Sequence, residues 1–73
     1  MDGKRERFIR VATRRTNSVL KKIAILGNCA NRSAYEYTED QVNKIFNEIE
    51  KELKIAKMKF QIEKNNKKRE FKL

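Results

Sequence analysis

Histidine, proline and tryptophan are missing from this sequence of 73 residues, cysteine occurs once and glycine twice. With no histidine and a single thiol at Cys29, neither an internal disulfide nor a Cys/His zinc site can form, so two common supports of a very small fold are excluded. No apolar run approaches the ~20 residues of a membrane span. The basic N-terminal stretch leads into mixed residues rather than the apolar core of about 7 to 15 that marks a secretory signal. A cytoplasmic protein in a reducing compartment, with no membrane partner, is expected. Acids are also scarce, 10 against 19 Lys and Arg, which leaves a formal net charge of +9. A field of that sign draws phosphate groups and speaks of partners rather than of fold.

Catalytic equipment is equally thin. There is no imidazole for proton transfer, no glycine-rich phosphate loop, no metal-ligand cluster and no recognisable pair of carboxylates in a pocket context. Cys29 follows a helix C-terminal region, where the dipole disfavours thiolate, and reads as an inert thiol. The expectation is a non-enzymatic protein that uses no metal and no cofactor.

What the chain does have is helical periodicity. Residues 4–26 contain neither proline nor glycine, and Ile9, Ala12, Thr16, Val19, Ile23 and Leu26 alternate spacings of three and four, one seam of a helix. Phe8, Leu20 and Ala24 widen it. Beside this seam, Arg7, Arg10, Arg14, Asn17 and Lys21 repeat the same spacing as a polar stripe. A stripe of this kind is ordinarily a solvated face. Here acids are nearly absent and arginine replaces the lysine that dominates elsewhere, which points to planar, forked recognition of phosphate. Gly27 stands where a left-handed glycine cap would end the helix at Leu26.

The second helix opens with a T-x-x-Q capping box at Thr38 and Gln41, a Tyr37/Val42 hydrophobic staple, and Glu39 and Asp40 at the positive end of its dipole. From there Val42, Phe46, Ile49, Leu53, Ala56 and Phe60 form a row, which Ile45, Ile55, Met58 and Ile62 are expected to broaden. Acid-before-base pairs four apart, such as Asp40 with Lys44 and Glu50 with Lys54, should lace the outer surface. After Ile62 the sequence turns basic, and residues 65–73 read as a flexible tail that adds phosphate contacts.

Between the helices, Asn28, Asn31, Arg32, Ser33, Tyr35 and Tyr37 gather amides, a guanidinium, a hydroxyl and two aromatic rings. Asparagines often serve turn geometry alone, and Tyr37 is already used as the staple. The remaining groups, Asn28, Asn31, Arg32 and Tyr35, could hold a phosphate or base edges and stack on a base. The run LGNCANRSAYEYTEDQVNKIF, Leu26 to Phe46, taken with RRTN at Arg14 to Asn17, resembles small uncharacterised bacterial or mobile-element helical-hairpin proteins with a GNxxNRSxYEYT bend. The resemblance covers under half of the chain. It implies no particular activity, and no site residue is carried over from it.

These readings combine into an all-α fold: an antiparallel two-helix hairpin over residues 1–64, with helices at 4–26 and 38–64, forming an oligomeric helical bundle. A chain of this length buries little surface alone, so a homo-oligomer is expected. The function expected is binding of a phosphate-bearing ligand, nucleic acid first, through Arg7, Arg10, Arg14, Asn17, Lys21, Asn28, Asn31, Arg32 and Tyr35. Two alternatives are sequestration of a nucleotide or cyclic nucleotide between hairpins, as in a phage or mobile-element anti-defence protein, and a module that docks on or inhibits another protein.

Overall fold

Proline is absent and glycine is confined to positions 3 and 27, so two long stretches are free to wind into helix. The computed structural model describes residues 3–68, which are all-helical apart from the connection. Helix α1 spans Lys4–Gly27, a short 3₁₀ turn follows at Asn28–Ala30, and helix α2 spans Glu39–Lys68. The chain divides into two units, one ending at Glu36 and the other beginning at Tyr37.

α1 begins at Gly3, whose N–H donates to Glu6 Oε2 at 3.0 Å while its carbonyl accepts the N–H of Arg7 at 3.2 Å. Glycine has no side chain with which to return the bond, so this is half of a capping box. The other end differs from the sequence expectation. Gly27 is the last residue of α1 rather than a left-handed cap, with φ −58° and ψ −27°, and no described residue has positive φ. The helix tightens instead: the N–H of Asn28 donates to the carbonyls of Ile25 and Leu26. A 3₁₀ turn satisfies end carbonyls with ordinary right-handed backbone, so glycine's left-handed freedom is unused. No basic side chain lies in the last turn, because Lys21 and Lys22 fall one turn too early to complement the dipole.

α2 starts as its sequence indicates. The N–H of Thr38 donates to Gln41 Oε1 at 2.8 Å, the N–H of Gln41 donates to Thr38 Oγ1 at 3.1 Å, and the Thr38 carbonyl accepts the N–H of Val42 at 3.2 Å. Tyr37 and Val42, the staple positions, are both half-buried. At its other end α2 continues to Lys68, through the first residues of the stretch expected to be a tail. Asparagine and lysine there weaken a helix without breaking it. The remainder of that basic tail, residues 69–73, lies outside the described residues.

Because α2 is one continuous helix, its phase can be followed at about 100° per residue. Val42, Phe46, Ile49, Leu53, Ala56 and Phe60 stay on one side, with Ile45 at the margin. Ile55, Met58 and Ile62 fall on roughly the opposite side. They form a second, shorter row and do not broaden the first.

No described residue of either unit is buried. Val11, Ala12 and Leu26 of α1, with Tyr37, Val42 and Ile49 in the second unit, are the half-covered residues of apolar type. Leu20 and Leu53 retain 59% and 57% of their surface, so the apolar rows remain available for packing. The recorded ion pair joins Glu48 to Lys51 at 3.6 Å, three residues apart and exposed at both ends. A pair of that kind contributes little, and the expected pairs of Asp40 with Lys44 and Glu50 with Lys54 do not close.

Two stability measurements check these ends. A Cβ added at Gly27 would meet nothing within 4 Å, and its backbone is right-handed. Gly27→Ala should therefore stabilise by about 0.5–1 kcal/mol, seen as a higher melting temperature at fixed protein concentration, where a left-handed cap would give a loss. Thr38→Ala should cost about 1 kcal/mol in the same melt.

Candidate nucleic-acid interface

Unbroken right-handed backbone over Lys4–Gly27 fixes where each side chain of α1 points. At about 100° per residue, Arg7, Arg10, Arg14, Asn17 and Lys21 fall in one narrow row. All five are exposed. The apolar seam of Ile9, Ala12, Thr16, Val19, Ile23 and Leu26 is centred on roughly the opposite side, so the stripe that sequence spacing placed beside the seam lies across the helix from it. The two rows can therefore engage different partners at once.

The charge of α1 is one-sided in sign, and half of its cations share the row. It carries eight Lys and Arg against one acid, Glu6, which sits in the first turn and is occupied with the Gly3 N–H. Lys4, Arg15 and Lys22 run along a separate strip between the row and the seam, nearer the seam, and Arg5 falls on the seam side. Sequence reading did not single these four out, although the shortage of acids around them was a usable signal.

The end of α1 adds one more member. Since Gly27 and Asn28 both keep right-handed dihedrals, at φ −58° and φ −67°, the row continues from Lys21 past Ala24 to Asn28. A left-handed turn at Gly27 would have thrown Asn28 off this line. Asn28 is exposed and its carbonyl accepts the N–H of Asn31 at 3.4 Å.

The remainder of the bend is held by Asn31. Its Oδ1 accepts the N–H of Ser33 at 3.0 Å, and its carbonyl accepts the N–H of Ala34 at 3.1 Å and of Tyr35 at 3.0 Å. This is the asparagine turn in which a side-chain oxygen stands in for a backbone acceptor. Asn31 thereby acts first as the organiser of the Arg32–Ser33–Ala34 turn, and its Oδ1 is committed there. Arg32 and Tyr35 are exposed on that turn, Tyr35 at 53%. Cys29, a free and exposed thiol, lies in the 3₁₀ turn just before it.

The structure thus gathers Arg7, Arg10, Arg14, Asn17, Lys21 and Asn28 along one line and sets Arg32 and Tyr35 on a turn braced by Asn31. Among the described residues, no group of three or more His, Cys, Asp or Glu is placed to hold a metal ion. Nor is any helix long and apolar enough to cross a membrane. Compared with protein families, curated proteins and solved structures, the chain matches none.

The role of Asn31 can be measured directly. Asn31→Asp keeps the acceptor and should leave the exchange rate of the Ser33 amide unchanged, whereas Asn31→Ala should speed it by about fivefold, the equivalent of one ordinary hydrogen bond.

Proposed function

We propose that the protein is a non-catalytic, oligomeric binder of nucleic acid, with the exposed row of α1 as its main contact. The observation that carries this reading is the row itself: four cations and an asparagine on one line of a continuous helix, across from the apolar seam. From Arg7 to Lys21 the row is about 21 Å long. With phosphates of one strand spaced at about 3.4 Å, that length spans about six of them. A single nucleotide offers its charge at one spot and would leave most of the row unused, which favours a polyanion over a small ligand. Arg32 adds a directed contact and Tyr35 a ring on which a base can stack. The contacts assigned to the row are to phosphates rather than to base edges, so affinity comes from phosphate neutralisation and varies little with sequence.

In the same reading each chain is an antiparallel hairpin, and further copies cover the apolar surface that its helices carry. The two apolar rows on opposite sides of α2 support this, since one neighbouring helix covers one side. Binding and assembly would then use separate surfaces of α1.

Fluorescence anisotropy of labelled duplex and single-stranded oligonucleotides, at about 50 mM and 200 mM salt, tests the proposal. Affinity should fall at least about tenfold between the two and vary little with sequence. Arg10→Ala and Arg14→Ala should each weaken binding severalfold and lower the salt slope by about one. Saturable binding of mono- or cyclic nucleotides that is lost in Arg32→Ala, with nucleic acid ignored, would replace this reading with nucleotide sequestration. Binding of neither by a well-folded oligomer would leave a protein partner.

A further inference from the structure

The long apolar row of α2 carries a charge order on its two flanks. Glu50 and Lys57 lie along one flank, immediately after the row residues Ile49 and Ala56. Glu52 and Lys59 lie along the other, immediately before Leu53 and Phe60. On both flanks the acid comes first and the base seven residues later. All four side chains are exposed, and among the described residues the ion pair within α2, Glu48 with Lys51, uses none of them.

We infer that this row is the seam on which a second copy of the chain docks, α2 against α2, running antiparallel. The inference rests on the oligomeric part of the proposed function and is independent of the ligand. Positions flanking a helical seam choose its partner and orientation through charge. With Leu53 set opposite Ala56 of the second copy, Ile49 falls opposite Phe60, and the two-fold axis repeats both layers. Large side chains thus meet smaller ones at the centre. The same register brings Glu50 beside Lys57 and Glu52 beside Lys59 of the second copy, four attractive pairs in all once symmetry is applied. Asn43 meets Lys64, and no like charges meet on the flanks.

Other arrangements satisfy the charges less well. In a parallel pair, Glu52 would still meet Lys57, but Lys59 would face Lys64 twice, and Glu63, the next residue of the row, would face its own copy where the antiparallel register sets it opposite Phe46. α1 is the poorer occupant because it offers one acid in its whole length, so Lys57 and Lys59 would find mainly other cations. Only α2 carries both signs in the reversed order that the seam requires.

The test begins with mass in solution of the full chain carrying Cys29→Ser. Glu50→Cys and Lys57→Cys are then introduced in separate chains, mixed in equal amounts and equilibrated in a thiol–disulfide buffer. The antiparallel seam predicts a dimer or an even multiple, with the mixed 50–57 disulfide enriched at least about fivefold beyond the roughly twofold excess that random pairing gives it over either symmetrical one, a preference worth about 1 kcal/mol. Charge exchange gives a second readout without thiols. Glu50→Lys with Glu52→Lys, and Lys57→Glu with Lys59→Glu, should each dissociate about tenfold more readily alone, and their equal mixture should recover the original affinity. A monomer by mass overturns both this seam and the oligomer. An oligomer without enrichment of the mixed disulfide overturns the antiparallel seam alone. So does an oligomer indifferent to the charge exchange.

Discussion

A helix closes its backbone hydrogen bonds internally, but its apolar side chains must find cover elsewhere, and that second requirement governs this protein. α1 and α2 are long enough to form whole turns in sequence, yet no described residue is buried. Helical stability in water comes mostly from packing of an apolar face rather than from propensity. The rows of α1 and α2 are therefore the part of the molecule on which the persistence of everything else depends, including the alignment of the cationic side chains. Hydrogen-bonded details at the ends refine this requirement without replacing it.

Segregation of charge and apolar surface on α1 gives that requirement a functional side. Had Arg7, Arg10, Arg14 and Lys21 bordered the seam as Arg15 and Lys22 do, covering the apolar side chains would have brought these cations too into a low-dielectric contact at considerable cost. Placed across the helix, they stay in water while the seam packs. Association of copies would also multiply the row, and linked weak contacts on one polyanion gain affinity through effective concentration rather than through any new interaction. The free chain, with its +9 charge, repels its own kind, and phosphate held on the proposed row would relieve that repulsion.

Different parts of this architecture were legible in the sequence to different degrees, for physical reasons. The start of α2 was plain because a capping box is local chemistry: Thr38 and Gln41 lie three residues apart and bond each other whatever the remainder of the chain does. The arginine row was plain because spacing of three and four is the helix itself. Gly27 misled, since glycine is common in left-handed caps, but a 3₁₀ turn competes for the same carbonyls, and the choice between them depends on the residues that follow. Asn28 consequently joins the row unforeseen. Ile55, Met58 and Ile62 were misassigned as a broadening of the α2 seam because they share its spacing but not its phase. Counting the angle from Val42 would have separated them. At the bend, Arg32 and Tyr35 stood out by type, whereas the bracing role of Asn31 needed its actual acceptor geometry.

The continuity of α1 from Lys4 through Gly27 also makes the protein unequally tolerant of change. Replacing one exposed side chain alters one contact and leaves every other direction in place. Inserting a single residue between Arg14 and Asn17 would turn all that follows by about 100° relative to what precedes it. Half of the cationic line would then point sideways, and the apolar seam would be split in the same place. Seven residues would restore the phase almost completely. Length, more than composition, is the property of this helix that selection should guard most closely.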